Sequence, residues 1–316
     1  ESNFARAVAK KYATDHTELS ARTVDVADIL QKMTHIYDEP FADSSNIPTY
    51  ILAGLAKQHA TVVLTGDGGD ELLGGYAQWY QPLLTMSKLG RSSQEYKAWF
   101  TKFISSLITL QKYQAWYRYK GWCLKRQYPS IITAHQSQNT YFSQREILNL
   151  GLKFPTLTKD LSWVPINTVD DAMKMDLENY MPGDILVKTD RAAMAHALEL
   201  RAPFLDHDFA EFCISLPYTL KISEREEKII LREACGSLWP MSVQKRSKQG
   251  FGAPVERWLQ LGGVRKLKEE YLFNPNVKLW KIISFEQGQE FVKKDSYQTW
   301  ALLVFSMWAE THSFNI

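Results

Sequence analysis

Thr65-Gly66-Asp67-Gly68-Gly69-Asp70-Glu71-Leu72-Leu73-Gly74-Gly75-Tyr76 follows an apolar, β-branched run, Ala60-Thr61-Val62-Val63-Leu64. The run reads as a short buried parallel strand. The glycines at its exit let the backbone turn sharply and come close to a ligand. Asp67, Asp70 and Glu71 fall within five residues. Three carboxylates so close repel one another in a cleft unless a cation or ligand amines balance them. Strand, glycine turn, acidic cluster and helix together suggest a site at the carboxyl end of a parallel sheet. A tight turn whose aspartates cap the next helix is the competing reading.

The flanking elements agree with an open sheet. Phe4, Val8 and Tyr12 lie four apart, as on a core-facing helix over residues 2–13. Residues 16–23 suit a strand, and Val26, Ile29, Leu30 and Met33 form one stripe of a helix over 25–37. Ser45 or Asn46 is placed to cap a helix running through Pro48 to Gln58. The order α-β-α-α-β is the rhythm of an α/β fold, an open parallel sheet with flanking helices. From about residue 80 that rhythm stops, and helices are expected at 168–180, 184–199, 207–215, 225–236, 254–260 and 288–312. The division expected is an α/β part over about 1–80 continuing into a mostly helical part over about 81–316.

Composition narrows the class. The chain has 316 residues, 45% of them hydrophobic, enough for a sizeable core, and its net charge of +2 gives no reason to expect nucleic acid or a charged membrane as partner. No run of 18 apolar residues exists, so no membrane span is expected. Cys123, Cys213 and Cys235 are widely spaced and read as reduced thiols of a cytoplasmic protein. The histidines have no metal-ligand spacing, which argues against structural zinc. The segment Tyr113 to Arg126 interleaves bases and aromatics as single-strand binders do, but an amphipathic helix with aromatics inward and Lys/Arg outward accounts for it.

TGDGGDELLGGY resembles the second signature of the asparagine synthetase family, SG-x-G-x-DE-x-x-GGY, with Thr65 in place of serine. Four more segments extend the resemblance. Tyr37 to Tyr50 is similar to YDEPFADSSAIPTY, and Asp184 to Arg191 with Glu199 to Asp206 is similar to D-x-L-x-K-x-DR…E-x-R-x-PFLD. Lys228-Ile229-Ile230-Leu231-Arg232 resembles K-x-x-LR, and Arg246 to Pro254 resembles R-x-KQGF-x-x-P. Asp184 and Lys188, four apart on a helix, suit a surface pair. Asp190, Arg191, Glu199, Arg201 and Asp206 lie among apolar neighbours, and a buried ionic network shaping the cleft is the favoured reading.

The resemblance implies the synthetase (ATP-pyrophosphatase) domain, with an adenine-nucleotide alpha-hydrolase-like fold. It implies adenylation of a carboxylate by ATP with Mg2+, release of pyrophosphate, and attack by an amine. For asparagine synthesis the substrates are aspartate and ammonia from glutamine. By motif position Asp70 holds the metal, and Thr65, Gly66 and Gly68 border the nucleotide. Asp67 serves as general base, Glu71 as electrostatic support, and Lys248 stabilises charge on the phosphates. A lysine before a Gly-containing turn suits that last role, as a point charge. The family's first signature, SGG-x-DS, is absent from the sequence, as is a glutaminase domain. The expectation is a chain truncated at its amino end, missing a glutaminase partner and inactive alone. A relative adenylating another carboxylate, such as a sugar acid, peptide or β-lactam precursor, and a non-catalytic remnant stay open as alternatives. So does assembly into a homo-oligomer.

Overall fold

The computed structural model describes residues 2–18, 25–89, 112–153, 168–244 and 252–312. In chain order the first half holds α1 (Ser2–Tyr12), α2 (Val26–Ile36), α3 (Asn46–Ala56), β1 (Val62–Leu64), α4 (Gly69–Leu73), α5 (Ala77–Lys88), α6 (Lys112–Gln127), α7 (Ile131–Gln138) and α8 (Gln144–Asn149). Then come α9 (Val169–Met175), a π-helical segment (Asp176–Ile185), α10 (Leu186–Met194), β2 (Glu199–Arg201), α11 (His207–Ser215) and α12 (Ile229–Cys235). The chain continues through α13 (Met241–Gln244), α14 (Val255–Gln260), α15 (Gly262–Leu272), α16 (Leu279–Ile282), α17 (Phe285–Val292) and α18 (Tyr297–Thr311).

The protein is mostly helical around one small parallel sheet. β1 pairs with β2 in the register Val62–Glu199, Val63–Leu200 and Leu64–Arg201. Among the described residues no further strand joins them, so the open sheet is represented by this pair. Residues 16–18 have no regular structure, and 19–24 lie outside the described residues. β1 is not the buried strand its composition suggests. Its inward residue, Val63, packs with Leu200 on Ala53, Ala193 and Leu198 from α3, α10 and the turn before β2. Its outward residues, Val62 and Leu64, are 45% and 75% exposed. Among the described residues, helices cover one face of the pair.

Among the described residues, the two largest of four apolar clusters hold most of the helices. The larger joins Leu30, Met33 and Ile47 to Leu259, Leu267, Trp300, Leu303 and Met307. It packs α2 and the start of α3 against α14, α15 and α18. The second gathers Tyr76, Tyr80, Leu83, Leu124, Ile131, Met173 and Ile222. Gly121 lets α6 lie directly on α5, since a Cβ there would stand 2.4 Å from the Pro82 carbonyl oxygen. Tyr113, Trp116 and Tyr119 of α6 remain exposed, with Gly121 and Leu124 facing inward. The aromatics expected to pack inward are therefore largely on the outer face. α1 buries no side chain either. It docks by polar contacts, with Tyr12 OH donating to Leu238 O at 2.6 Å and Lys11 to Ser237 O at 3.1 Å.

The helices expected over 168–180 and 184–199 are one continuous element. Pro182 has no N–H to donate, and its ring crowds the carbonyl four residues back. The backbone widens to π-helix over Asp176–Ile185 and then resumes α-helix. Conversely, the helix expected over 288–312 is two, split after Val292 and restarted where the Ser296 side chain accepts from Thr299 N. Lys278 closes the far end. Its Nζ lies 2.9 Å from Ala309 O and 2.9 Å from His312 O, satisfying carbonyls that have no partner within the helix. No described helix is long and apolar enough to cross a membrane.

Candidate active site

β1 ends at Leu64, and Thr65 N still donates to Arg201 O at 2.8 Å, so the turn starts at the carboxyl end of the sheet. Gly68 then takes φ +83°, and a Cβ there would lie 2.2 Å from Leu205 Cδ2. Both the positive φ and the close approach of Leu205 demand glycine. α4 follows and stops at Gly74, whose φ of +71° makes the left-handed cap. The result is one helical turn carrying Asp70 and Glu71 directly after a tight loop carrying Thr65, Gly66 and Asp67.

The three acids expected to share a charge problem solve it separately. Thr65 Oγ1 donates to Asp67 Oδ2 at 2.8 Å at the half-buried rim of the loop. Glu71 is 2% exposed and accepts from Tyr76 OH at 2.5 Å. Burial, and then the Glu71 carboxylate, push the Tyr76 phenol far above its ordinary pKa, so it is a fixed donor. Asp70 Oδ1 lies 2.6 Å from Lys228 Nζ. Lys228 stands at φ +53° just before α12, a left-handed conformation costing a side-chain residue about 1–2 kcal/mol. Gly75 packs directly beneath this ion pair, where a Cβ would fall 2.0 Å from Asp70 Oδ1 and 2.6 Å from Lys228 Cε. Among the described residues nothing lies within 4 Å of where a Gly66 Cβ would stand, which leaves backbone open to a ligand.

Asp70, expected to hold magnesium, is thus ion-paired to a lysine. No three His, Cys, Asp or Glu side chains able to hold a metal come together among the described residues. One carboxylate already facing an ammonium does not make a divalent-cation site, so these residues by themselves do not fit the ion. Lys248 lies outside the described residues.

A second acidic group was legible only as a motif. Lys188 Nζ lies 2.8 Å from Asp43 Oδ2 and 3.9 Å from Asp184 Oδ1. Of the pair expected on the surface, Lys188 is buried and Asp184 half-buried, and through Asp43 they bridge the end of the π-segment to the loop before α3. Burial, and then the neighbouring Asp43, raise the Asp184 pKa to about 7. Burial pushes Asp43 the same way, but the Lys188 ammonium and the Ser45 N–H and O–H donors outweigh it and hold Asp43 below the usual range. Ser45 thus bonds Asp43 rather than capping α3 with its side chain. The Tyr180 phenol is raised by burial, then by Asp184, Asp43, Glu71 and Asp176, so it feels both acidic groups. Its ring meets Tyr76 and Trp79 edge-on.

The buried ionic network expected from Asp190 to Asp206 is a surface feature instead. Asp190 is exposed, Arg191 pairs with Asp38, and Arg201 pairs with Glu199 at 2.6 Å on the open face of the sheet. Asp206 caps α11, accepting from Phe209 N at 3.2 Å. Asp190 and Arg191 lie on the exposed side of α10, Glu199 and Arg201 on the outward side of β2, and Asp206 in an exposed turn, where water solvates them. The buried polar cluster is elsewhere: Asp176 accepts from Tyr80 OH at 2.5 Å on one oxygen, and its other lies 2.7 Å from His135 Nε2.

The family model for asparagine synthase matches residues 1–310. The chain belongs to the asparagine synthase family. Among curated relatives, it is 30% identical to asparagine synthetase (glutamine-hydrolyzing) 1 of Bacillus subtilis over 304 residues, 91% of this chain and 46% of that protein. It is 26% identical to a putative asparagine synthetase (glutamine-hydrolyzing) of Mycobacterium bovis over 328 aligned positions, 98% of this chain and 48% of the relative. A shorter match, 30% over 135 residues, reaches amidase chry2 of Gibberella zeae, covering 40% of this chain and 20% of that protein. The chain spans about half the length of the two synthetases it matches.

Proposed function

We propose that this chain is the synthetase part of an ATP-dependent amide-forming ligase that converts aspartate to asparagine. The observation that carries this reading is the turn at the carboxyl end of β1, with Gly66 open and Thr65, Asp67 and the Asp70–Lys228 pair around it. A nucleotide polyphosphate needs exposed backbone, hydroxyl donors and cationic groups in that place. The parallel pair β1–β2 is then the described portion of a wider open sheet, and the α/β part is continuous with the helical part.

In the proposed reaction an oxygen of the aspartate side-chain carboxylate attacks the α-phosphorus of ATP and expels pyrophosphate. Ammonia attacks the acyl carbon, AMP leaves, and the surplus proton passes to Asp67. Thr65 and the Gly66 and Gly68 backbone border the nucleotide. Glu71, locked by Tyr76, fixes the turn and its field, and Lys228 and Lys248 bring positive charge to the phosphates. No step runs through a metal held by the described residues. Ammonia comes from glutamine hydrolysed in a separate glutaminase unit.

The test is aspartate-dependent formation of AMP and pyrophosphate, in a chain extended upstream to any SGG-x-DS segment its gene encodes. Loss of product in Asp67→Asn and Lys248→Ala, with folding intact, is the expected result. Product formation with a different carboxylate and none with aspartate overturns the substrate. No product with any carboxylate overturns the ligase reading.

A further inference from the structure

α6 holds five Lys or Arg and no Asp or Glu. The bias reaches beyond the helix, for Tyr96 to Arg145 contains eight Lys or Arg and no acid. The chain's net charge of +2 therefore leaves −6 on the remaining residues, and the small overall value conceals a basic block. A long segment of one sign attracts a partner of the other.

Tyr113, Trp116, Tyr119 and Trp122 recur every third residue and so form one ridge along α6. The helix is anchored by another side, with Gly121 and Leu124 buried and a Cβ at Gly121 standing 2.4 Å from the Pro82 carbonyl oxygen. The ridge is left outward: Tyr113, Trp116 and Tyr119 are 69%, 57% and 44% exposed. Arg126 continues it, its guanidinium 4.9 Å from the centre of the Trp122 ring. About 20 Å of firmly seated helix, from Tyr113 to Arg126, thus presents Tyr and Trp rings with basic groups beside them.

We propose that this ridge seats the protein on an anionic phospholipid surface, with the Tyr and Trp rings at headgroup level and the bases against the lipid's negative groups. The inference is independent of the ligase reading. Tyr and Trp have apolar bodies and polar tips, which suits the boundary between water and hydrocarbon. Basic side chains beside them add attraction to anionic lipid. The contact is peripheral, made by the outer face of a helix whose inner face stays packed on α5. Single-stranded nucleic acid fits less well, because its bases need free ring faces to stack on. Here Tyr119 meets Trp116 at 5.8 Å and Trp122 at 6.1 Å, and Arg126 stands over Trp122. A second copy of the chain would set one basic helix against another, which like-charge repulsion opposes.

The test is co-sedimentation of the 316-residue chain with vesicles of phosphatidylcholine alone and of phosphatidylcholine mixed with phosphatidylserine. Wild type is expected to pellet with the mixed vesicles at low salt, to be released by high salt, and to stay in solution with phosphatidylcholine alone. Arg126→Gln should weaken binding about fivefold, the share of one basic residue near an anionic surface. Trp116→Ala should weaken it about tenfold, the loss of one partly buried ring. Both positions are exposed, and circular dichroism checks that the fold is intact. Phe212→Ala, which removes a comparably exposed ring from α11, should change nothing. Brominated lipid should quench tryptophan emission in wild type and quench it less in Trp116→Phe, which keeps binding. Equal binding to neutral and anionic vesicles overturns the proposal, as does binding unchanged in Trp116→Ala or lowered as much by Phe212→Ala. Absence of binding to any vesicle overturns it too. Arg126-dependent retention of oligothymidine in that case would give the ridge to nucleic acid instead.

Discussion

Replacing His135 by Ala is expected to destabilise the fold by about 1–3 kcal/mol, the cost of leaving a buried acceptor without one of its hydrogen-bond partners. His135 and Asp176 have side chains 0% and 2% exposed, with Nε2 2.7 Å from Oδ1. Without the imidazole, Asp176 keeps Tyr80 as donor to one oxygen and faces a dry void on the other. The loss of packing against Tyr80 and Trp79, whose rings lie 5.7 and 6.3 Å from the imidazole, acts in the same direction. Urea unfolding followed by tryptophan fluorescence measures it, provided the slope m is unchanged. His135→Gln can still reach Asp176 with an N–H donor and should lose less. The double change His135→Ala with Asp176→Ala should lose clearly less than the sum of the single losses, because the Asp176 oxygen that His135 serves is then gone as well. A loss below about 1 kcal/mol in the single variant, a typical value for an ordinary hydrogen bond, would refute the reasoning, and so would strict additivity in the double.

Other perturbations have equally definite outcomes. Asp184 holds its proton to about pH 7, whereas an unfolded aspartate loses it near pH 4. Its contribution to stability is therefore full below the unfolded value and is lost as pH rises through about 7. Asp184→Asn should flatten that part of a stability–pH profile, and an unchanged slope between pH 4 and 7 would show that Asp184 does not hold its proton in the fold. Gly68→Ala forces a Cβ into φ +83° and against Leu205; thermal melts should register a loss of about 2–4 kcal/mol, strain and overpacking combined. Lys278→Met removes the ammonium from the last carbonyls of α18 and should cost about 1–2 kcal/mol, with faster amide exchange in its final turn; protection equal to wild type there would exclude the cap.

Much of this was legible in the chain, for identifiable reasons. Glycines at positive φ and an apolar β-branched run are local signals, so the strand, the turn and α4 could be placed from residues 60–76 alone. Helices with one apolar stripe, such as α2, were equally plain. Partnership across the fold was not. Nothing near Asp70 names Lys228, which is 158 positions away and reaches it from a left-handed backbone that no composition rule anticipates. Asp184 and Lys188 looked like a surface pair because helical spacing says which side chains meet, not which face is buried. The charges from Asp190 to Asp206 looked buried because their sequence neighbours are apolar. In fact the outer side of α10, strand alternation in β2 and an exposed turn put them outward. His135 carried no motif at all, and only tertiary packing brings it to Asp176.

The π-helical run from Asp176 to Ile185 has a consequence for how this chain tolerates changes in length. Its first residue is pinned by Tyr80 and His135, and three residues beyond its end Lys188 is pinned by Asp43. Between those pins the wide helix stores slack, since a π-turn takes more residues than an α-turn. Deleting one residue there lets the segment tighten toward ordinary α-helix while both pins stay where they are. The same deletion inside α10 has no slack to draw on and must rotate every later side chain by about 100°, one step of a 3.6-residue turn. Relatives shorter by one residue in this stretch are therefore expected to lose it before Ile185, and to keep the lysine facing its aspartate.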